Sequence, residues 1–245
     1  FALDDLVFDK QRHWANYPAG VFAMLMADGV RFAHGLNILF AGDIPNGAGL
    51  SSSASIELVT AVLLREVYGF ERTQLQLVQL SQRSENQFNG MNCGIMDQFI
   101  SANGKKGMAL KLDCATLEYE LVPMNNESVS VLVLDSAVKH SLADGAYGQR
   151  RKQCEEASSI MGVPSLREAT LELLESFREQ LGDVRYRRAR HVIGENARVN
   201  AFANALARGD WDEAGVAMRG SHASLRDDYE VSCAEVDTLV SLCDR

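Results

Sequence analysis

The run Pro45-Asn46-Gly47-Ala48-Gly49-Leu50-Ser51-Ser52-Ser53-Ala54-Ser55 is the part of the chain best suited to hold an anion. Its glycines let the backbone approach a ligand closely and take dihedrals closed to other residues. An amphipathic stretch follows, so the run ends where a helix begins. The first N–H groups of a helix are unpaired, and its dipole is positive at that end. Together these features suit nucleotide phosphates. Serine hydroxyls add donors and an oxygen ligand for a hard cation. A turn followed by a Ser-capped helix would use the same residue types. Two glycines and three consecutive serines at a strand-to-helix junction favour the phosphate site. The Gly-Lys-Ser/Thr of a Walker A loop is absent, as are the glycine patterns of dinucleotide-binding and protein-kinase loops.

A second group lies in Gln82-Arg83-Ser84-Glu85-Asn86 and Asn89-Gly90-Met91-Asn92-Cys93-Gly94-Ile95-Met96-Asp97-Gln98-Phe99. Magnesium takes hard oxygen ligands, and Glu85 supplies one. Transfer of a phosphoryl group to a hydroxyl needs a carboxylate to accept or orient its proton. Asp97 is a candidate, beside apolar Ile95, Met96 and Phe99 and next to a Gly-rich loop. Taken alone, Glu85 reads as an exposed helix carboxylate and Asp97 as a helix-terminal charge. Residue chemistry does not single them out from 33 acidic residues.

The elements that must position these groups follow from periodicity. Leu3 to Val30 reads as helix, and Asn37 to Phe40 as a short strand. Gly42 to Ser53 is a loop, followed by a helix with Ile56, Val59, Leu63, Leu64 and Val67 on one face. Thr73 caps a helix running to about Phe88. Asn89 to Gly94 is a loop, with a short helical stretch through Phe99. Met108 to Leu112, Tyr119 to Val122 and Val129 to Leu134 read as strands. From about Ala143 the chain is mainly helical, with long helices over Tyr186 to Leu206 and Trp211 to Leu225. Grouped helices and strands indicate an α+β fold. The polar stretch Asn125 to Ser128 marks a boundary between domains 1–126 and 127–245.

The 245 residues allow one large domain or two small ones. A net charge of −9 disfavours a nucleic-acid partner. Cys93, Cys114, Cys154, Cys233 and Cys243 are scattered and form no CxxC pair, which points to reduced cytosolic thiols. His140, His191 and His222 lack metal-ligand spacing. No apolar run reaches membrane-spanning length, so no membrane partner and a cytoplasmic location are expected.

PNGAGLSSSAS is similar to the second signature of the GHMP kinases, and GLSSSAS resembles its galactokinase form in particular. NCGIMDQFIS, Leu134 to Leu142, Tyr147 to Glu155 and Ser224 to Cys233 resemble galactokinase segments in the same order, from about Trp14 to the end. The resemblance implies a GHMP kinase fold, with two layered α+β domains and the nucleotide and sugar site between them. It implies that Gly47, Ala48, Gly49, Leu50, Ser51, Ser52 and Ser53 bind ATP, with Ser53 and Glu85 on Mg2+. It makes Asp97 the catalytic base and places Gly94, Asp97 and Tyr147 at the sugar. A phenol such as that of Tyr147 can also simply anchor a helix start.

The implied activity is ATP-dependent phosphorylation of the anomeric hydroxyl of galactose. Alternatives are a related kinase for N-acetylgalactosamine or arabinose, and a galactose- and ATP-sensing regulator without chemistry. Ser53-Ala54 and Asp97 argue against the sensor. Arg187-Arg188-Ala189-Arg190-His191 reads as a solvated basic face with i,i+4 partners, and Ser224 to Cys233 as structural. The family's N-terminal sugar-binding signature is expected before Phe1 and its glycine-rich C-terminal signature after Arg245. This stretch alone is therefore expected to show little or no kinase activity.

Overall fold

A computed structural model describes residues 1–45, 47–124, 126–138 and 146–244, with residues 146 and 147 described by backbone alone. The chain divides into two compact units. One is Phe1–Lys106 with Leu112–Glu120; the other is Gly107–Lys111 with the described residues from Leu121 onward.

The first unit opens with a 3-10 turn, Lys10–Ala15, and then α1, Asn16–Ala27. Helix is not continuous from Leu3, as periodicity suggests. His13 sits at φ +47°. The buried Asn16 side chain donates to the carbonyls of Asp9 (2.7 Å) and His13 (3.1 Å) and accepts from Asp9 N–H. That side chain stabilises a bend where a helix would need backbone partners. Next come α2 (Ser52–Tyr68), α3 (Gln74–Arg83, extended by a π turn over Ser84–Phe88) and α4 (Met96–Asn103). Thr73 caps α3 as expected: its hydroxyl accepts from Gln76 N–H, and the Gln76 side chain accepts from Thr73 N–H.

Helix α2 packs on α1, α3 and α4. Its buried face is Ala54, Leu58, Ala61 and Leu64, joined by Glu57 and Thr60. The expected face is half right: Leu64 is buried, whereas Val59 and Val67 are exposed. Small residues at 54 and 61 let the neighbouring helices approach closely, and that close packing decides which stripe is covered. Leu25, Leu64 and Leu77 are fully buried; each contributes roughly 1.5–3 kcal/mol.

Strands β1 (Met108–Leu112) and β2 (Tyr119–Pro123) form a two-stranded sheet. The segments 37–40 and 129–134 are not strands. Leu39 is 94% exposed, and Val131 and Leu132 are also exposed. A strand is defined by a paired neighbour, and neither segment has one among the described residues.

In the second unit, α5 (Ala146–Ile160), α6 (Leu171–Ser176) and α7 (Arg178–Arg208) enclose Ala157, Met161, Leu174, Leu181 and Ala189. A smaller cluster joins Val122 to Ala203, Leu206 and Ala214 of α8 (Trp211–Ser224). Next are a π turn, Leu225–Tyr229, and α9, Ala234–Cys243. The basic run on α7 is a solvated face only in part: Arg190 is exposed and Arg187 has an i,i+4 partner in Asp183 (3.0 Å), while other bonds run to distant residues. Arg188 is buried and pairs with Glu230, as does Arg187, while Arg190 pairs with Asp228. Arg188 and Arg187 hold the Glu230 carboxyl down at about 2. His191 shares a bond with Ser224 (3.0 Å) and stacks on Tyr229. Asp228 and Glu230 lie about 40 residues away from these arginines in sequence, beyond the reach of i,i+4 reasoning. They pin the turn 225–230, where Glu230 takes φ +56°.

Candidate functional site

In the first unit, the Gly/Ser loop ends at the N-terminus of α2. Gly47 and Gly49 take φ +74° and +71°, and a Cβ built on either would meet nothing within 4 Å. The backbone there is open, and its dihedrals favour glycine. Ser51 is also left-handed, at φ +58°, and its side chain does not cap the helix. The first intrahelical bond is Ser55 N–H to Ser51 O, at 3.0 Å. The N–H groups of Ser52, Ser53 and Ala54 precede it and have no partner inside the helix. The serines are half-buried, and Gly47, Gly49 and Leu50 are exposed. The donor-rich end of α2 thus faces outward, as an anion site requires.

The second group is assembled by the π turn after α3. Met91 N–H donates to Glu85 O (2.9 Å), and Cys93 N–H donates to Asn86 Oδ1 (2.8 Å). Gln82 Nε2 donates to Cys93 O at 3.3 Å. These bonds fold the 89–95 loop back and bring Cys93 and Gly94 beside Glu85. Glu85 is 4% exposed. Its Oε2 accepts from Gln98 Nε2 at 2.6 Å and from the Cys93 thiol at 3.4 Å. Among the described residues both bonds fall on one oxygen, which leaves Oε1 to a ligand. Burial, then the Glu85 charge, push the Cys93 thiol up to about 12, so it remains a neutral donor.

Sequence reasoning missed Glu57. It lies on the buried face of α2, fully enclosed. Burial first, and the nearby Glu85 second, push its carboxyl from the usual 4.5 to about 9, and the adjacent Ser84 and Gln98 side chains moderate the rise. Neither, however, donates a hydrogen bond to it: both Glu57 oxygens, Ser84 Oγ and Gln98 Oε1 are buried without a partner. The Tyr17 phenol is also raised, by burial and then by Glu85 and Glu57. The signal for Glu57 lay in its spacing. It is the one carboxylate in α2 among residues 52–65, and it stands four positions after Ser53.

That spacing relates the two halves of the site. Residues i and i+4 share a helix face. Glu57 faces Glu85 and Gln98, so Ser53 stands one turn above it on the same side. Asp97 is exposed in the first turn of α4, next to Gln98, and its side chain takes no hydrogen bond among the described residues. Ile95 and Phe99 turn into the core instead. A Cβ on Gly94 would meet nothing within 4 Å. The Tyr147 side chain lies outside the described residues, as does Asn46.

A magnesium ion fits this donor set. No group of three or more His, Cys, Asp or Glu side chains among the described residues could hold a metal ion. Mg2+ nonetheless commonly takes one or two protein oxygens, with the remaining positions filled by phosphates and water. The free Glu85 Oε1 and the Ser53 hydroxyl offer that number.

Residues 16–105 match the GHMP kinases N terminal domain. The chain is 42% identical to a galactokinase of Fusobacterium nucleatum subsp. nucleatum over 98% of its length and 63% of that protein's. It is 47% identical to the Homo sapiens galactokinase, over 93% of the chain and 57% of the relative. The solved Lactococcus lactis galactokinase complexed with galactose superposes with a TM-score of 0.87 at 35% identity, covering 99% of this chain and 64% of that one. The chain thus spans about 57–64% of the relatives it matches. By its loop signature, its fold and these likenesses, the chain is similar to the central portion of galactokinases and carries the GHMP kinases N terminal domain over residues 16–105.

Proposed function

We propose that this chain is the central portion of a galactokinase, which transfers the terminal phosphoryl group of ATP to the anomeric hydroxyl of D-galactose. The observation that carries the reading is the open Gly/Ser loop at the N-terminus of α2, whose first amides have no partner inside the helix, with Ser53 one turn before Glu57, the neighbour of Glu85. Backbone N–H groups from Gly47 to Ser53, with the serine hydroxyls, would cradle the ATP phosphates. Ser53 and Glu85 Oε1 would hold Mg2+, which neutralises charge on the phosphates when bound. Asp97, exposed and without a competing bond, would accept or orient the proton of the sugar hydroxyl. Gly94 would let the backbone approach the sugar, and the resemblance gives Tyr147 a sugar contact. A sugar and ATP are the partners of this reading, and the cytoplasm its compartment. No helix in the described residues is long and apolar enough to cross a membrane.

The test uses the full natural chain with ATP and Mg2+. ADP release is followed with galactose, with N-acetylgalactosamine and without sugar, beside Asp97→Asn. Galactose-dependent release that the variant loses supports the activity and the base. Preference for another sugar changes the substrate. ATP and galactose binding without release replaces the enzyme with a sensor.

A further inference from the structure

Four buried polar atoms lack partners around one point: both oxygens of Glu57, Ser84 Oγ and Gln98 Oε1. A buried polar atom without a partner is destabilising, so four together in a well-packed unit call for a single explanation. Gln98 is fully buried, and its amide already has a direction, because Nε2 donates to Glu85 Oε2. Its Oε1 therefore points away from Glu85 and needs a donor. An ionised Glu57 has none to give. It would draw the Gln98 NH2 toward itself, and the turned amide would present Oε1 to the Glu85 carboxylate, acceptor against acceptor. A protonated Glu57 removes the conflict. Its O–H is a donor for Gln98 Oε1, and its carbonyl oxygen an acceptor for the Ser84 hydroxyl. That one proton supplies the donor that Gln98 Oε1 lacks, while the Ser84 hydroxyl is able to donate to Glu57 in either form.

We propose that Glu57 is a positioning residue whose carboxylic O–H donates to Gln98 Oε1, locking the Gln98 amide in the orientation that holds Glu85 ready for its cation. The full enclosure of Glu57 favours the protonated form. The connection runs from the core of α2 through α4 to the π turn after α3. Glu57 touches no substrate in this arrangement and acts through Gln98. Outer partners of a metal ligand set its orientation, and their loss typically lowers metal affinity about 10–100-fold. The consequence for the cation rests on the kinase reading above; the proton on Glu57 does not.

The experiment uses the full natural chain as wild type, Glu57→Gln and Glu57→Met. The glutamine carries an N–H donor for Gln98 Oε1 and an acceptor for Ser84, so it should rescue; methionine fills the space and does neither. Binding of Mn2+ in the presence of ADP, read by electron paramagnetic resonance, should weaken about 10–100-fold in Glu57→Met and within about threefold in Glu57→Gln. In a Glu85→Gln background, Glu57→Met should add no further loss, because its effect passes through Glu85. The infrared difference spectrum of wild type minus Glu57→Gln at neutral pH should show the carbonyl stretch of a protonated carboxylic acid. Unchanged Mn2+ binding in Glu57→Met, or an equal loss in Glu57→Gln, overturns the proposal. A carboxylate signal in place of the acid band also overturns it, and that measurement stands even where Glu57→Met fails to fold. Absence of sugar-dependent turnover in a wild type that shows the acid band and binds Mn2+ would refute the kinase reading alone.

Discussion

Replacing Glu57 with glutamine changes how stability depends on pH, and the size of the change follows from its enclosure. Glu57 is fully buried, and its carboxyl is raised from 4.5 to about 9. Between those values the native state keeps one proton that the unfolded state has released. The number bound in the unfolded state minus that in the native state is then minus one, so stability falls with rising pH, by about 1.4 kcal/mol per pH unit. The contribution is fully present below pH 4.5 and is lost progressively as pH rises toward about 9. Glutamine does not titrate and lacks this slope. From pH 5 to pH 7, wild type should lose about 2.7 kcal/mol relative to Glu57→Gln. Urea denaturation of both proteins at half-unit pH steps measures the difference. Trp14 lies in the first unit and Trp211 in the second, so a Trp211→Phe background reports the relevant unit by fluorescence. A stability difference that stays constant from pH 5 to pH 8 would refute the reasoning, since it requires Glu57 to release its proton in the fold as readily as in the open chain.

Gly20 permits the close approach of α1 to the π turn: a Cβ there would fall 2.3 Å from Ser84 Oγ and 3.0 Å from the Phe88 ring. Gly20→Ala should destabilise the first unit by about 1–3 kcal/mol, seen as a lowered urea midpoint. Thr73→Ala removes the capping box of α3 and should cost about 1 kcal/mol by the same assay. Arg188→Leu leaves the Asp228 carbonyl and Gln153 without their donor. It should lower second-unit stability by roughly 1.5–3 kcal/mol, followed by Trp211 in a Trp14→Phe background. Asp97→Asn should leave the melting temperature within a degree or so of wild type, because surface substitutions typically change stability by about 0.5 kcal/mol or less. A large drop would mean that the carboxylate is structural.

What could be read in advance depended on how far each cause lies along the chain. The Gly/Ser loop, the start of α2, the Thr73 cap and the β1–β2 pair are local matters of dihedral preference and i,i+3 chemistry, and the structure has them where residue types put them. The segments 37–40 and 129–134 have the composition of strands, but composition does not supply a neighbour to pair with. The face of α2 that is buried depends on which helices arrive against it, and so Val59 reads as core and is exposed. The same gap hid the supporting side of the candidate site. Glu85 and Asp97 come from resemblance and would have been passed over as ordinary surface acids. Yet Glu85 is buried and bound by Gln98 and Cys93, contacts spanning 13 and 8 residues across the loop that a π turn folds back. Glu57 is the sharper lesson. A carboxylate on a helix that also carries Ala54, Leu58, Ala61 and Leu64 has two readings, an edge residue or a buried acid. Only the arrival of α3 and α4 decides between them. Once decided, burial dictates the rest: an enclosed carboxyl with no cationic side chain paired to it among the described residues keeps its proton. A protonated carboxyl has a donor to place, and the one unpartnered acceptor of the Gln98 amide stands beside it.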